Sequence, residues 1–172
     1  QYLLEGGHKR IGIVTGDVAE SSAADRRRGF VDAIEQAGER FDPALCVSGD
    51  YRFASGYRAA DRIIDGGATA VFCCNDVMAL GFRQRMAERG LHVTEDMQVI
   101  GYDNILRRFG LGLRMTTVEQ SVVDLAAAGW GMLGSRIDAV VRGDGDSGAG
   151  RPWLASPQVK VLTPKLVQAA CA

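Results

Sequence analysis

Short apolar runs, each handing over to a stretch with helical spacing, set what this chain can fold into. RIGIVTG (10–16), ALCVSG (44–49), TAVFCC (69–74), MQVIGY (97–102) and MTTVEQ (115–120) read as strands. Between them lie SSAADRRRGFVDAIEQAG (21–38), SGYRAADRIIDGG (55–67) and DVMALGFRQRMAERG (76–90). In the first of these, Phe30, Ala33, Ile34 and Ala37 recur at helical spacing and Gly38 closes the helix, while Ser22 and Asp25 have the spacing of a capping box. In the second, Tyr57, Ala60, Ile63 and Ile64 share a face. Strands this short and continuously apolar are covered on both faces, as in a parallel sheet. Their alternation with helices gives successive right-handed crossovers, hence an α/β fold with a parallel sheet flanked by helices. A further helix is predicted over 121–142, a turn-like segment in RGDGDSGAG (142–150), and one or two last strands in QVKVLTPKLV (158–167). YLLEGG (2–7) reads as the end of a helix closed by Gly, and the chain as a piece of a longer protein.

Composition narrows the function classes. The 172 residues are 47% hydrophobic and 24% charged, enough for one core or one lobe of something larger. A net charge of −1 gives the chain no electrostatic case for nucleic acid or an anionic membrane. No apolar run reaches the roughly 18 residues that a membrane span needs. Cys46, Cys73, Cys74 and Cys171 lack ligand spacing, so no metal is expected. Cys73 and Cys74, adjacent in an apolar run, suit buried thiols in a reducing compartment.

In an open α/β sheet, ligands sit beyond the carboxyl ends of the strands. Asp17 follows the first strand, with the helix-borne Arg26 close behind. Asp50 and Tyr51 follow the second, Asn75 and Asp76 the third, and Asp103 and Asn104 the fourth. The fifth carries Thr117 and is followed by Gln120. Carboxylates, amides, an Arg and an aromatic ring suit a neutral polyhydroxylated or heterocyclic ligand. Plainer roles stand beside these. Asp17 and Asp50 can form turns, Asp76 can cap its helix, and Arg26 can belong to the solvated face of DRRR. There is no GxGxxG or GxxxxGK[ST] phosphate loop and no G-x-S-x-G elbow. The two histidines, His8 and His92, precede strands, at the opposite end from the rim. The rim therefore lacks the usual general base, and the chain reads as a binder with no cofactor, not as an enzyme.

GHKRIGIVTG, SSAADRRRGFVDAI, GDYRFASGYRAA, AVFCCNDVMALGF, VIGYDN and TTVEQ follow one another in order. Together they closely resemble the effector-binding domain of lac-repressor-type (LacI/GalR) bacterial regulators, over about 3–142 and again at VLTPKLV (161–167). The resemblance implies a type I periplasmic-binding-protein-like fold and mainly its C-terminal lobe. It assigns 1–142 to the effector-binding lobe with a crossover helix at 121–142, 143–157 to an irregular loop, and 158–172 to C-terminal strands and tail. The helix-turn-helix that would bind operator DNA is expected outside this chain. A cytoplasmic homodimer sensing a sugar or related metabolite is implied, with no membrane association.

Carried over residue by residue, the family's effector-binding Arg of RxxGF falls on Arg26, and its aromatic after GD on Tyr51. The Asn of ND falls on Asn75, the Asp of G[FY]D on Asp103, and a softer position near the hinge on Gln120. RRFGLGLRM (107–115) departs from the family's usual apolar stretch. Arg107 and Arg108 there either favour an anionic effector or form a solvated loop. GDGDSGAG and the ending QAACA are also unusual for the family. A periplasmic sugar-binding protein of a transport system shares the fold and is the alternative. GHKRI, NDVMALG, GYDN and the adjacent thiols favour the regulator.

Overall fold

The computed structural model describes residues 1–105, 114–142 and 159–169. The chain divides into two compact units, Gln1–Glu119 with the chain from Leu166, and Gln120–Lys165. In the first unit, β1 (Ile11–Thr15), β2 (Cys46–Ser48), β3 (Ala70–Cys73), β4 (Gln98–Tyr102) and β5 (Thr116–Glu119) pair in parallel. A short β6 (Lys165–Val167) extends the sheet beyond β5, giving the order β2-β1-β3-β4-β5-β6. β1 is buried at every position, which is why it reads as an unbroken apolar run and not an alternating one.

Helices cover both faces. α3 (Phe53–Asp65) and α4 (Asp76–Glu88) pack on one, enclosing Ile13, Val14, Leu45, Ile63, Val71 and Phe82. α1 (Tyr2–Glu5) and α2 (Ser21–Gln36) lie on the other, where Leu3, Ile11, Ala70 and Ile100 form a smaller core with Phe30 and Phe72. α3 and α4 approach closely because Gly56 and Gly81 face each other's backbones. A Cβ at Gly81 would overlap the Phe53 carbonyl, and one at Gly56 the Met78 carbonyl.

Two expectations about local structure change. The capping box at Ser22 and Asp25 does not form: Glu20 is the N-cap of α2 and no side chain caps it. The reason lies upstream, where the Asp17 carboxylate and carbonyl accept from the Ala19 and Glu20 amides and start the helix before Ser22 can flank it. The second strand is shorter than ALCVSG, because Asp42 caps a 3-10 turn at Pro43–Leu45. The second unit holds α5 (Val122–Arg142), which exposes Val123 and Trp130. No helix among the described residues is long and apolar enough to cross a membrane. Arg107, Arg108, the GDGDSGAG stretch and the end of QAACA lie outside the described residues.

Candidate functional site

Because β1 pairs with both β2 and β3, the winding of the sheet reverses there. In such sheets a crevice opens at the carboxyl ends of the two strands flanking the reversal. The chain leaves β1 through Gly16 and Asp17, and β3 through Cys74 and Asn75.

Arg26 reaches this edge from α2. Its guanidinium donates to the Cys74 carbonyl at 3.0 Å and lies 4.0 Å from the centroid of the Tyr102 ring. It thus spans the ends of β3 and β4. The ring it rests on is held from behind: Tyr102 meets Phe72 edge-on, Phe72 stacks on Phe30, and Phe30 meets Phe41. Within the DRRR run the three arginines separate, since Arg27 and Arg28 are exposed and Arg28 pairs with Asp25. Sequence reasoning passed over Tyr102. The signal was available, since it is the aromatic immediately before Asp103 in GYDN.

Tyr51 and Asn75 lock together. The Asn75 side chain donates to the Tyr51 carbonyl at 2.9 Å and accepts from the Met78 amide at 2.8 Å, which makes it the N-cap of α4. Tyr51 has a φ of 62°, and its ring lies so close over Gly16 that a Cβ there would overlap it. The Tyr51 hydroxyl and the neighbouring Thr15 hydroxyl are both buried without a hydrogen-bond partner. Such orphaned groups are uncommon enough in folded proteins to need a cause.

Asp103 and Asn104 follow β4 with φ values of 103° and 55°. Three of the four described non-glycine residues in the left-handed region therefore sit at this one edge. Each costs about 1–3 kcal/mol, and such strain gathers at ligand sites. The Asp103 amide donates to the Val118 carbonyl at 2.8 Å. Beneath it, Asp76 is fully buried and accepts from the Thr117 hydroxyl at 2.6 Å and the Ile105 amide at 2.8 Å. The helix cap read from sequence on Asp76 is thus supplied by Asn75, while Asp76 turns inward to β5.

Asp17 and Asp50 are exposed turn-formers. Asp50 accepts from the Arg52 amide at 3.0 Å, and the Ser55 hydroxyl with that amide holds its carboxyl below the ordinary value. The thiol of Cys74 lies behind the edge, and burial pushes it up to about 12. His8 bonds Thr69 at the amino end of the sheet, and His92 is exposed in the loop before β4. Gln120 opens the second unit, directly after β5. Among the described residues no three His, Cys, Asp or Glu side chains gather as metal ligands. Arg26, Tyr51, Asn75 and Asp103 are therefore tied to one edge through their immediate neighbours.

The family of periplasmic binding protein-like domains matches residues 1–160. The chain belongs to that family and is similar to transcriptional regulators of the LacI type. One curated relative, the HTH-type transcriptional repressor PurR of Pasteurella multocida, is 40% identical over 140 residues, covering 80% of this chain and 42% of the relative. The chain thus spans less than half the length of that relative. Among solved structures, the transcriptional regulator CelR–cellobiose complex is similar at 31% identity and a TM-score of 0.64, over 69% of this chain and 37% of that one. The Escherichia coli transcriptional repressor ascG shares the fold at a TM-score of 0.77 and 24% identity, over 98% of this chain and 57% of that one.

Proposed function

We propose that this chain is the effector-sensing part of a cytoplasmic, DNA-binding transcriptional regulator, acting without catalysis. The observation that supports the reading is the carboxyl edge of the sheet, where Tyr51, Asp103 and Asn104 hold positive φ, Asn75 holds the Tyr51 carbonyl, and Arg26 reaches the ends of β3 and β4. Asp103 accepts hydrogen bonds from ligand hydroxyls or ring N–H groups. Arg26, stacked on Tyr102, presents its remaining N–H groups, and Asn75 contributes the N–H that Tyr51 leaves over. The Tyr51 ring supplies a flat apolar wall. The resemblance adds Gln120. A neutral ligand fits this set, because the arginine and the carboxylate offset one another. The repressor names of its relatives favour the regulator over a transport protein of the same fold.

The full-length protein, on this reading, binds operator DNA as a dimer through an N-terminal domain. Effector shifts it between DNA-competent and DNA-incompetent states by its differential affinity for the two. The test is DNA binding by the full-length protein on selected genomic fragments, with and without a panel of hexoses, disaccharides including cellobiose, and purine and pyrimidine bases. At least one compound is expected to change DNA affinity by about fivefold or more. A protein with no sequence-specific DNA site, or with one indifferent to every ligand it binds, overturns the proposal.

A further inference from the structure

Asp76 opens α4, where the helix dipole favours an acid, but that does not account for its burial. Asn75 already caps α4. A carboxylate next to the cap could stay in water at no cost, yet Asp76 is 0% exposed. Burying it costs free energy unless hydrogen bonds replace the lost water. Two of its bonds lead to neighbouring elements of the rim. One oxygen accepts from the Ile105 amide at 2.8 Å, the other from the Thr117 hydroxyl at 2.6 Å. Thr117 in turn accepts from the Asn104 amide at 3.3 Å. With the Asp103 amide on the Val118 carbonyl at 2.8 Å, three successive amides are fastened to α4 and β5.

The fastened turn is the strained one. Asp103 and Asn104 have φ values of 103° and 55°, which an untethered aspartate would seldom hold. β4 is cut to make room for the device. A Cβ at Gly101 would overlap the Asp76 carboxylate oxygen, so only glycine lets the carboxylate pass beneath the strand.

We propose that Asp76 and Thr117 are positioning residues for the effector site. They clamp the 103–105 backbone and so set where the Asp103 carboxylate meets the ligand. The inference rests on the reading that Asp103 binds effector, and its test separates the two.

Thr117→Val keeps the shape of the side chain and deletes the hydroxyl, while Thr117→Ser keeps the hydroxyl. Both are made in the full-length protein beside wild type and Asp103→Ala. Amide hydrogen exchange over 103–105 is followed by mass spectrometry. Affinity is read by calorimetry for whichever compound of the sugar and nucleobase panel wild type binds. Thr117→Val is expected to speed exchange at 103–105 by about tenfold or more, with the rest of the sheet unchanged. It is also expected to weaken binding by about tenfold, and Thr117→Ser to restore both. Unchanged exchange in Thr117→Val, or a rise spread equally over the whole sheet, overturns the clamp, even if no panel compound binds. Faster local exchange with unchanged affinity, where Asp103→Ala has lost binding, overturns the positioning role. Binding that survives Asp103→Ala instead overturns the assignment of Asp103 and with it the purpose given to the clamp.

Discussion

Gly29 and Gly81 both lie inside helices, and helix propensity alone treats their replacement by Ala alike, as a gain of about 1 kcal/mol. Their surroundings give opposite signs. Gly29 in α2 has no heavy atom within 4 Å of an added Cβ, so Gly29→Ala keeps the gain. At Gly81 the added Cβ overlaps the Phe53 carbonyl and crowds the Tyr57 amide of α3. These are backbone atoms that cannot rotate away. Overpacking costs about 1–3 kcal/mol, and rigid neighbours put this case at the upper end, so the net loss is about 2 kcal/mol. For a chain of this size each kcal/mol moves the melting temperature by about 2–4 °C. Gly81→Ala should therefore melt about 4–8 °C lower and Gly29→Ala about 2–4 °C higher. Because α4 begins at Asp76, forcing it away from α3 should also disturb the Asn75 cap and the rim. Calorimetric melting of both variants decides it. A rise at Gly81→Ala, or shifts of the same sign and size at both, refutes the close helix contact on which the placement of α4 depends.

Three further outcomes follow from individual groups. With Cys171 replaced by Ser, a disulfide reagent near neutral pH should titrate the half-buried Cys46 first. Cys73 and Cys74 should react only on unfolding, because burial raises both thiols, Cys74 to about 12. Asp61 is held below its ordinary 3.8 by the Arg85 guanidinium, and Glu88 below its ordinary 4.5 by the Tyr57 hydroxyl. Unfolding therefore takes up protons, and the stabilisation is present above those ordinary values and lost as pH falls through the lower folded ones. Arg85→Met should flatten the fall in urea midpoint between about pH 6 and about pH 3, and an unaltered slope would count against that network. Arg26→Lys keeps the charge but loses the planar face over Tyr102, a contact of about 0.5–1 kcal/mol. Effector affinity should drop severalfold with little change in melting, and unaltered affinity would remove Arg26 from the site.

Much of this was legible because the sheet's centre is uniformly apolar. β1, β3 and β4 stand where their runs do, and Gly38, at positive φ, ends its helix as read. What escaped depends on three-dimensional neighbours. Ser22 looked like a cap, but the Asx turn at Asp17 had already set the start of α2. Asn75 and Asp76 are adjacent and chemically alike, and nothing in the sequence tells which one caps and which turns inward. That choice is made by Thr117, 41 residues on, and by the space left at Gly101. The ring series behind Arg26 likewise joins residues from α2, β3 and β4 that no local spacing relates.

The central claim is that Asp103 is the acceptor that recognises the effector. Calorimetric titration of full-length wild type and Asp103→Ala with the compound that wild type binds tests it most directly. A lost hydrogen bond to a charged acceptor is worth about 1.5–3 kcal/mol, so affinity should fall by about tenfold to more than a hundredfold, with melting nearly unchanged. An unchanged dissociation constant in a folded Asp103→Ala protein would contradict the account.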